Sequence, residues 1–131
     1  MEIACVDTSV LIDHYRATDK GSTFLFKASS LYGLCIPAIV AYEVLRGDAQ
    51  KDQFWKAYFA NKRMLPFDEL CAERAAEIYA TLKRANQLIG AEDILIAAIA
   101  IANELLLLTL NTKHFSRIAH LNVITPEKLT V

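Results

Sequence analysis

Three acidic side chains interrupt or directly follow apolar segments of the chain. Asp7 ends the run at residues 3–6, Glu43 lies inside IVAYEVLRG, and Asp93 stands in the first turn of AEDILIAAIAIA. Asn111 comes shortly after a run of four leucines. Carboxylate and amide oxygens, without Cys or His, suit Mg²⁺ or Mn²⁺ and disfavour zinc. A site of this kind typically serves phosphoryl chemistry, in which the metal binds the phosphate, activates a water and stabilises the leaving oxygen.

Each of these residues also has an ordinary structural explanation. Asp7 could form a turn or begin a helix, and Asn111 could cap the helix that follows it. Glu43 faces the apolar side of its helix and could pair with Arg46. The helix dipole alone favours an acid at the position of Asp93 by about 0.3–1 kcal/mol. Taken singly, none of these residues indicates a site, so the prediction rests on their joint placement.

The histidines and cysteines do not suggest a metal site of their own. No HxH or HExxH spacing occurs, so zinc ligation is not expected of His14, His114 or His120. The cysteines are widely spaced and lack a CxxC motif. We therefore interpret them as small core residues in a reducing compartment: Cys5, Cys35 and Cys71.

The elements that must position the acids alternate between short strands and helices. Strands are expected at residues 3–6, 34–36, 64–67, 105–109 and 122–125. Helices are expected at residues 9–15, 22–30, 38–46, 52–60, 69–88, 91–102 and 111–116, with Gly90 ending the fifth. The segment 91–102 is apolar on nearly every side, so it must be packed inside the protein. This alternation predicts a three-layer α/β/α sandwich with a mainly parallel central sheet.

In such a sheet, ligands bind just beyond the carboxyl ends of the strands. Asp7 follows the first strand, and Thr109 and Asn111 follow the leucine-rich strand. If these two strands are neighbours, their polar tips share one edge. Glu43 comes three residues after Val40 and therefore projects from the apolar stripe of its helix, where a carboxylate needs a cation to meet it.

Composition is that of one globular domain spanning residues 1–131. Hydrophobic residues make up 54% and charged residues 22%, which argues against disorder. The N-terminus lacks the basic start of a secretory signal, and the apolar segments 94–102 and 105–108 are each too short to span a bilayer. We therefore expect a cytoplasmic protein without a membrane segment.

Net charge gives no basic footprint, because 15 acidic residues stand against 14 basic ones. If the three candidate metal ligands are set aside, 12 acidic residues remain against the same 14 basic ones. The charge balance therefore does not exclude a nucleic-acid substrate.

With these residues in place, the chain resembles PIN-domain proteins, and most closely the VapC toxins of bacterial and archaeal toxin-antitoxin pairs. The resemblance rests on VDTSVLID around Asp7, PAIVAYEVLRG around Glu43, IGAEDILIAA around Asp93 and TLNTKHFSRI at residues 109–118. These motifs occur in the family's order and at its usual separations, and they cover the chain from residue 3 to about residue 124.

The resemblance implies an endoribonuclease that hydrolyses RNA phosphodiester bonds with Mg²⁺ or Mn²⁺ held by Asp7, Glu43 and Asp93. Asn111 would complete the polar cluster, and the hydroxyl of Thr8 or Thr109 would orient the ligands. Some members of the family carry an aspartate at the position of Asn111. A neutral amide binds a cation more weakly, so the resemblance does not decide between one metal ion and two.

Partners also follow from the resemblance. It implies a homodimer and a cognate VapB-like antitoxin whose tail covers the site, often with an arginine. Three basic residues near the motifs could hold the RNA backbone or could equally be solvated surface charges: Arg46, Lys113 and Arg117.

Two rival functions share features of this sequence. A haloacid-dehalogenase-like phosphatase also begins with an aspartate after its first strand, but it needs a second acid two residues later, where this chain has Ser9. A catalytically weak PIN module that binds RNA or a protein partner without cutting would keep the same fold. The retained acids favour the nuclease over this second rival.

Overall fold

The computed structural model describes residues 1–47 and 53–129. Within these residues, five strands form one parallel sheet in the order β3-β2-β1-β4-β5. The strands are β1 (Glu2–Val6), β2 (Tyr32–Pro37), β3 (Arg63–Leu65), β4 (Leu106–Leu108) and β5 (Val123–Ile124). The expected α/β sandwich is confirmed. The described sheet is parallel throughout, where the sequence predicted a mainly parallel one.

Helices connect the strands along the described chain. They are α1 (Thr8–Arg16), α2 (Phe24–Ser29), α3 (Ala38–Arg46), α4 (Phe54–Phe59), α5 (Glu69–Arg84), α6 (Ala91–Ala102) and α7 (Thr112–Phe115). Two short 3₁₀ turns lie at Lys20–Ser22 and Pro126–Lys128. Helices α3 and α6 have the predicted bounds.

The order of the strands creates a crevice between β1 and β4. From β1 the chain moves outward through β2 to β3, then returns to the other side of β1 to form β4 and β5. Since parallel crossovers are right-handed, the connections before and after β3 lie on opposite faces of the sheet. Ligands in open parallel sheets bind where the strand order reverses, just beyond the carboxyl ends of the strands. Asp7 and Thr109 directly follow β1 and β4.

The core explains the almost wholly apolar sequences of β1 and α6. Ala4, Cys5 and Val6 are completely shielded from solvent, and Cys5 and Val6 pair in register with Leu107 and Leu108 of β4. In α6 the buried residues include Ile96, Ala97, Ala98, Ile99 and Ala100. As expected, the three cysteines are buried and free.

The helix expected at residues 69–88 is shorter than predicted. It ends at Arg84, and Asn86 adopts the left-handed backbone conformation with φ of 56°. The prediction for Gly90 was wrong, because this glycine occupies the N-cap position of α6 instead of closing α5. The helix expected at residues 52–60 spans Phe54–Phe59, and residue 52 lies outside the described residues.

Candidate functional site

Asp7 stands at the junction of β1 and α1, and only 3% of its surface is exposed. It occupies the N-cap position of α1, yet its side chain makes no capping hydrogen bond. Instead, Oδ2 accepts hydrogen bonds from Ser9 Oγ at 2.7 Å and Thr109 Oγ1 at 2.8 Å. Turn chemistry alone therefore does not explain Asp7, because its side chain makes no capping hydrogen bond and its carboxylate reaches Thr109 at the end of β4.

Two hydroxyl groups fix the chain after β4 against the start of α1. Thr109 is completely buried, and its hydroxyl accepts a hydrogen bond from the backbone N–H of Asn111 at 2.8 Å while donating to Asp7. Ser9 acts in the same way, accepting from the N–H of Leu110 at 3.1 Å. Each hydroxyl thus joins the carboxylate of Asp7 to the backbone beyond β4.

Glu43 reaches the same region from α3. Its Oε1 accepts a hydrogen bond of 2.5 Å from the hydroxyl of Thr8, the first residue of α1. The expected cation is Arg46, one turn further along α3, but its guanidinium stays 3.9 Å from Glu43 Oε2 with 53% of the side chain exposed. An exposed pair at this separation contributes little, so Arg46 does not neutralise Glu43.

Asp93 lies in the first turn of α6, where its Oδ2 is 2.8 Å from Nδ1 of His114 in α7. The same Nδ1 lies 3.1 Å from Nδ2 of Asn111. One imidazole nitrogen cannot donate to Asp93 and accept from Asn111 at once. The shorter contact, to an anion, favours an Nδ1–H group that donates to Asp93. Asn111 occupies the N-cap position of α7, but its side chain makes no capping bond there.

Three carboxylates, which we call the acidic cluster (Asp7, Glu43 and Asp93), lie close enough for the charge of Asp93 to raise the pKa of the other two. Burial raises the pKa of Asp7, the hydroxyl hydrogen bonds oppose this effect, and the charge of Asp93 raises the pKa further. Burial also raises the pKa of Glu43. The hydroxyl of Thr8 lowers that pKa, whereas the charges of Asp93 and Asp7 raise it. Asp7 and Glu43 are thus carboxylates whose charge the basic side chains of the described residues do not offset.

The donor set of the acidic cluster fits a hard divalent ion in kind, because it offers carboxylate oxygens under mutual repulsion. Among the described residues, no three Asp, Glu, His or Cys side chains already form a group that could hold a metal ion. A closed cage is not required for Mg²⁺, which keeps several waters and usually binds through one or two carboxylates. The cluster therefore fits a hydrated Mg²⁺ or Mn²⁺ ion better than a tightly caged one.

The three basic residues predicted near the site lie in different surroundings. Arg46 is at the rim, because its Nη1 also lies 3.9 Å from Glu92 Oε1. Lys113 is exposed on α7. The Nη1 of Arg117 donates hydrogen bonds to the backbone carbonyls of Gln87 and Leu88, in the loop between α5 and α6. Arg117 therefore ties the turn after α7 to this loop.

Sequence reasoning missed two contributors to the site. His114 was considered only for zinc spacing, although it stands three residues after Asn111, which places the two on one side of a helical turn. Ser9 stands where the rival phosphatase chemistry needs a second acid, and its hydroxyl instead donates to Asp7. A hydroxyl there leaves the phosphatase chemistry without its second acid.

The chain belongs to the PIN-domain family, whose model matches residues 4–121. It is 34% identical over 112 residues to Ribonuclease VapC10 of Mycobacterium tuberculosis (strain ATCC 25618 / H37Rv), covering 84% of both chains. It is 36% identical over 132 residues to Ribonuclease VapC of Rickettsia bellii (strain RML369-C), covering 92% of this chain and 93% of the relative.

Solved structures share the fold over almost the whole chain. A crystal structure of VapBC2 from Rickettsia felis bound to a promoter DNA fragment superposes with a TM-score of 0.82, at 22% identity, and covers 94% of this chain and 98% of that one. The structure of FitAcB from Neisseria gonorrhoeae gives a TM-score of 0.77 at 26% identity and covers 97% and 99%. At these identities the structural likeness bears on the fold.

Along the described ranges, none of the helices has both the length and the apolar character needed to cross a bilayer.

Proposed function

We propose that the protein is a metal-dependent endoribonuclease that hydrolyses RNA phosphodiester bonds. The observation that carries this proposal is the acidic cluster: Asp7 is buried and Glu43 part-buried, the charge of Asp93 raises the pKa of both, and no basic side chain among the described residues neutralises Asp7. The PIN-domain family and relatives named ribonucleases supply the substrate class. Asp7, Glu43 and Asp93 would hold Mg²⁺ or Mn²⁺.

A bound divalent ion would supply a polarised phosphate and a water of lowered pKa. The chain's own residues hold the acids in place for it. Ser9 and Thr109 donate to Asp7 and keep its carboxylate at the ends of β1 and β4. Thr8 holds Glu43, and the Nδ1–H of His114 holds Asp93. Such positioning partners fix the orientation of a ligand and its basicity.

Asn111 would contribute an amide at the edge of the cluster, either to the ion or through water. Its backbone N–H is already held by Thr109, and its side chain lies beside His114. The amide is neutral, so Asn111 would add less binding energy than a fourth carboxylate. This supports one firmly bound ion in preference to two.

RNA would approach from the side of Arg46, whose guanidinium lies next to Glu43 and Glu92. Lys113 is exposed on α7 and could contact the backbone of a longer substrate. The hydrogen bonds of Arg117 to two backbone carbonyls support a structural role for it more than a contact with RNA.

The relatives support toxin activity and an antitoxin partner for this chain. Several neighbours in structure are VapBC or toxin-antitoxin complexes, which supports a cognate VapB-like antitoxin for this chain. A homodimer is part of the same proposal. The alternative is a catalytically weak PIN module that binds RNA or protein without cutting, and Asn111 is the residue that favours it, because it supplies an amide at a ligand position.

The test is cleavage of a structured RNA by wild type and by Asp7→Asn, with Mg²⁺ and with EDTA. We expect wild type to cut only with the metal ion and Asp7→Asn to lose at least about 10- to 100-fold in rate, because removing even a residue that only supports a metal ligand costs that much. Lys62→Ala is a matched surface control, because Lys62 contacts Asn61 and Tyr58 and none of the acids. Cleavage that survives both EDTA and Asp7→Asn would overturn the assignment.

A further inference from the structure

Tyr42 and Arg46 form an exposed pair on α3, one turn apart. The guanidinium carbon of Arg46 lies 4.9 Å from the ring centroid of Tyr42, and Nη1 donates to the phenolic oxygen at 3.2 Å. Each residue is about half exposed, at 53% for Tyr42 and 53% for the Arg46 side chain. Their neighbours Ala41 and Val44 are buried in the core, so α3 turns this pair outward.

The pair lies at the rim of the acidic cluster. Tyr42 directly precedes Glu43, and Arg46 is within 3.9 Å of both Glu43 and Glu92. The guanidinium therefore extends from the aromatic ring to the acids. A phosphate bound by a divalent ion at Glu43 would be a neighbour of this arginine, and the next nucleotide of the strand would be a neighbour of the ring.

We infer that Tyr42 stacks on an unpaired RNA base beside the phosphate that is cut, with Arg46 contacting the adjoining backbone. This inference rests on the proposed function and adds a binding position for the substrate. Single-stranded RNA is recognised mainly by stacking of splayed bases on aromatic rings and guanidinium planes. A paired base is already stacked within its duplex, so this site selects unpaired segments, with little preference for base identity.

The chain contains a matched control on α5. Tyr79 is 47% exposed, and Lys83 lies one helical turn away with its ammonium 5.7 Å from the ring centroid. This pair repeats the residue type, the exposure and the cationic neighbour of Tyr42. Neither member forms an ion pair or hydrogen bond with the acidic cluster among the interactions of the described residues.

The first experiment compares Tyr42→Ala, Tyr42→Phe and Tyr79→Ala in cleavage of a labelled single-stranded oligoribonucleotide with Mg²⁺. We expect Tyr42→Ala to raise KM roughly 5- to 150-fold, the range that stacking of one base supplies, with kcat within about twofold. Tyr42→Phe keeps the ring and stays near wild type. Tyr79→Ala is also unchanged. Circular dichroism confirms that each variant folds.

The second experiment locates the stacked base. Oligonucleotides with a single abasic position are scanned for binding by fluorescence anisotropy with Ca²⁺ in place of Mg²⁺, so that an oxygen-binding ion still compensates the acids, and a gel confirms that the RNA stays intact. Wild type should lose affinity at one position, and Tyr42→Ala should be insensitive to the abasic change at that same position.

Failure of the proposed nuclease function and failure of the stacking site give different results. Wild type that binds RNA with the expected abasic profile but never cuts it contradicts the proposed function and leaves the stacking site standing. Wild type that cuts RNA while Tyr42→Ala behaves like Tyr79→Ala contradicts the stacking site alone. An abasic profile that Tyr42→Ala leaves unchanged also contradicts it.

Discussion

The hydroxyl of Thr109 lies 2.8 Å from Oδ2 of Asp7, although the two residues are 102 positions apart in the chain. The contact exists because β1 and β4 are parallel neighbours, with Val6 and Leu108 in register, so the residues after them meet at one edge. It places a buried carboxylate where ligands of parallel sheets bind.

Thr109→Val should remove the hydroxyl with little change in shape. Asp7 would lose a donor and the N–H of Asn111 its acceptor, so we expect the free energy of unfolding to fall by about 1–3 kcal/mol. Urea unfolding measures this change in the free energy of unfolding. Thr109→Ser keeps the hydroxyl and should lose less stability. Equal stability of the Val and Ser variants would show that the hydroxyl does not hold Asp7.

Asp7→Asn should stabilise the metal-free protein at neutral pH, by on the order of 1 kcal/mol, because a buried charge without a cation is removed. Burial raises the pKa of Asp7 above its usual value of 3.8. The contribution of Asp7 to the free energy of unfolding is therefore fully present below pH about 4. It is lost as the pH rises through the raised pKa of Asp7 in the folded protein.

The difference in free energy of unfolding between Asp7→Asn and wild type should therefore increase as the pH rises above about 4 and become small below it. Urea unfolding in EDTA, at several pH values, measures the difference. A variant less stable than wild type at pH 7 and equally so at pH 3 would contradict the assignment of a desolvated, uncompensated carboxylate.

His114→Ala should release Asp93 from its hydrogen bond at 2.8 Å. Loss of a residue that orients a metal ligand typically costs 10–100-fold in affinity or activity. We therefore expect RNA cleavage to need a higher Mg²⁺ concentration, with a rate lower by about this factor. His120→Asn is the control, because His120 is exposed and Asn tolerates its positive φ of 68°. If the two variants respond alike to Mg²⁺, His114 does not position Asp93.

His14 should make the stability sensitive to mild acid. Burial first, and the nearby charge of Lys20 second, lower the pKa of His14 below its usual 6.5, and its Nδ1 lies 2.7 Å from the hydroxyl of Thr23. Its stabilising contribution is complete above pH 6.5 and is lost as pH falls through the lower folded value. Urea midpoints at pH 7.5 and 5 should differ less in His14→Gln than in wild type. If the urea midpoint changes equally with pH in His14→Gln and in wild type, His14 is not the source of the acid sensitivity.

The sequence predicted the elements that are set by local pattern. The bounds of α3 and α6 follow from long apolar segments that begin after Pro37 and Gly90, and Asp7 was correctly placed at the end of β1. The end of α5 was not predictable from pattern, because the apolar residue Leu88 continues the sequence although Asn86 has already left the helix.

The contacts around the acids could be predicted only in part. The contact of Thr109 with Asp7 follows from the pairing of β1 with β4. The pairing of Asp93 with His114 instead requires α7 to pack against the start of α6. No local pattern encodes that packing. The same holds for Arg117, whose hydrogen bonds lie about 30 residues away in sequence.

The most direct test of the acidic cluster is a titration of the protein with Mn²⁺, followed by calorimetry, for wild type, Asp7→Asn and Glu43→Gln. If Asp7, Glu43 and Asp93 share one divalent ion, wild type binds it with saturable heat, and either substitution weakens binding at least tenfold. Binding of equal strength in all three proteins would contradict a metal site at this cluster, as would no binding by wild type.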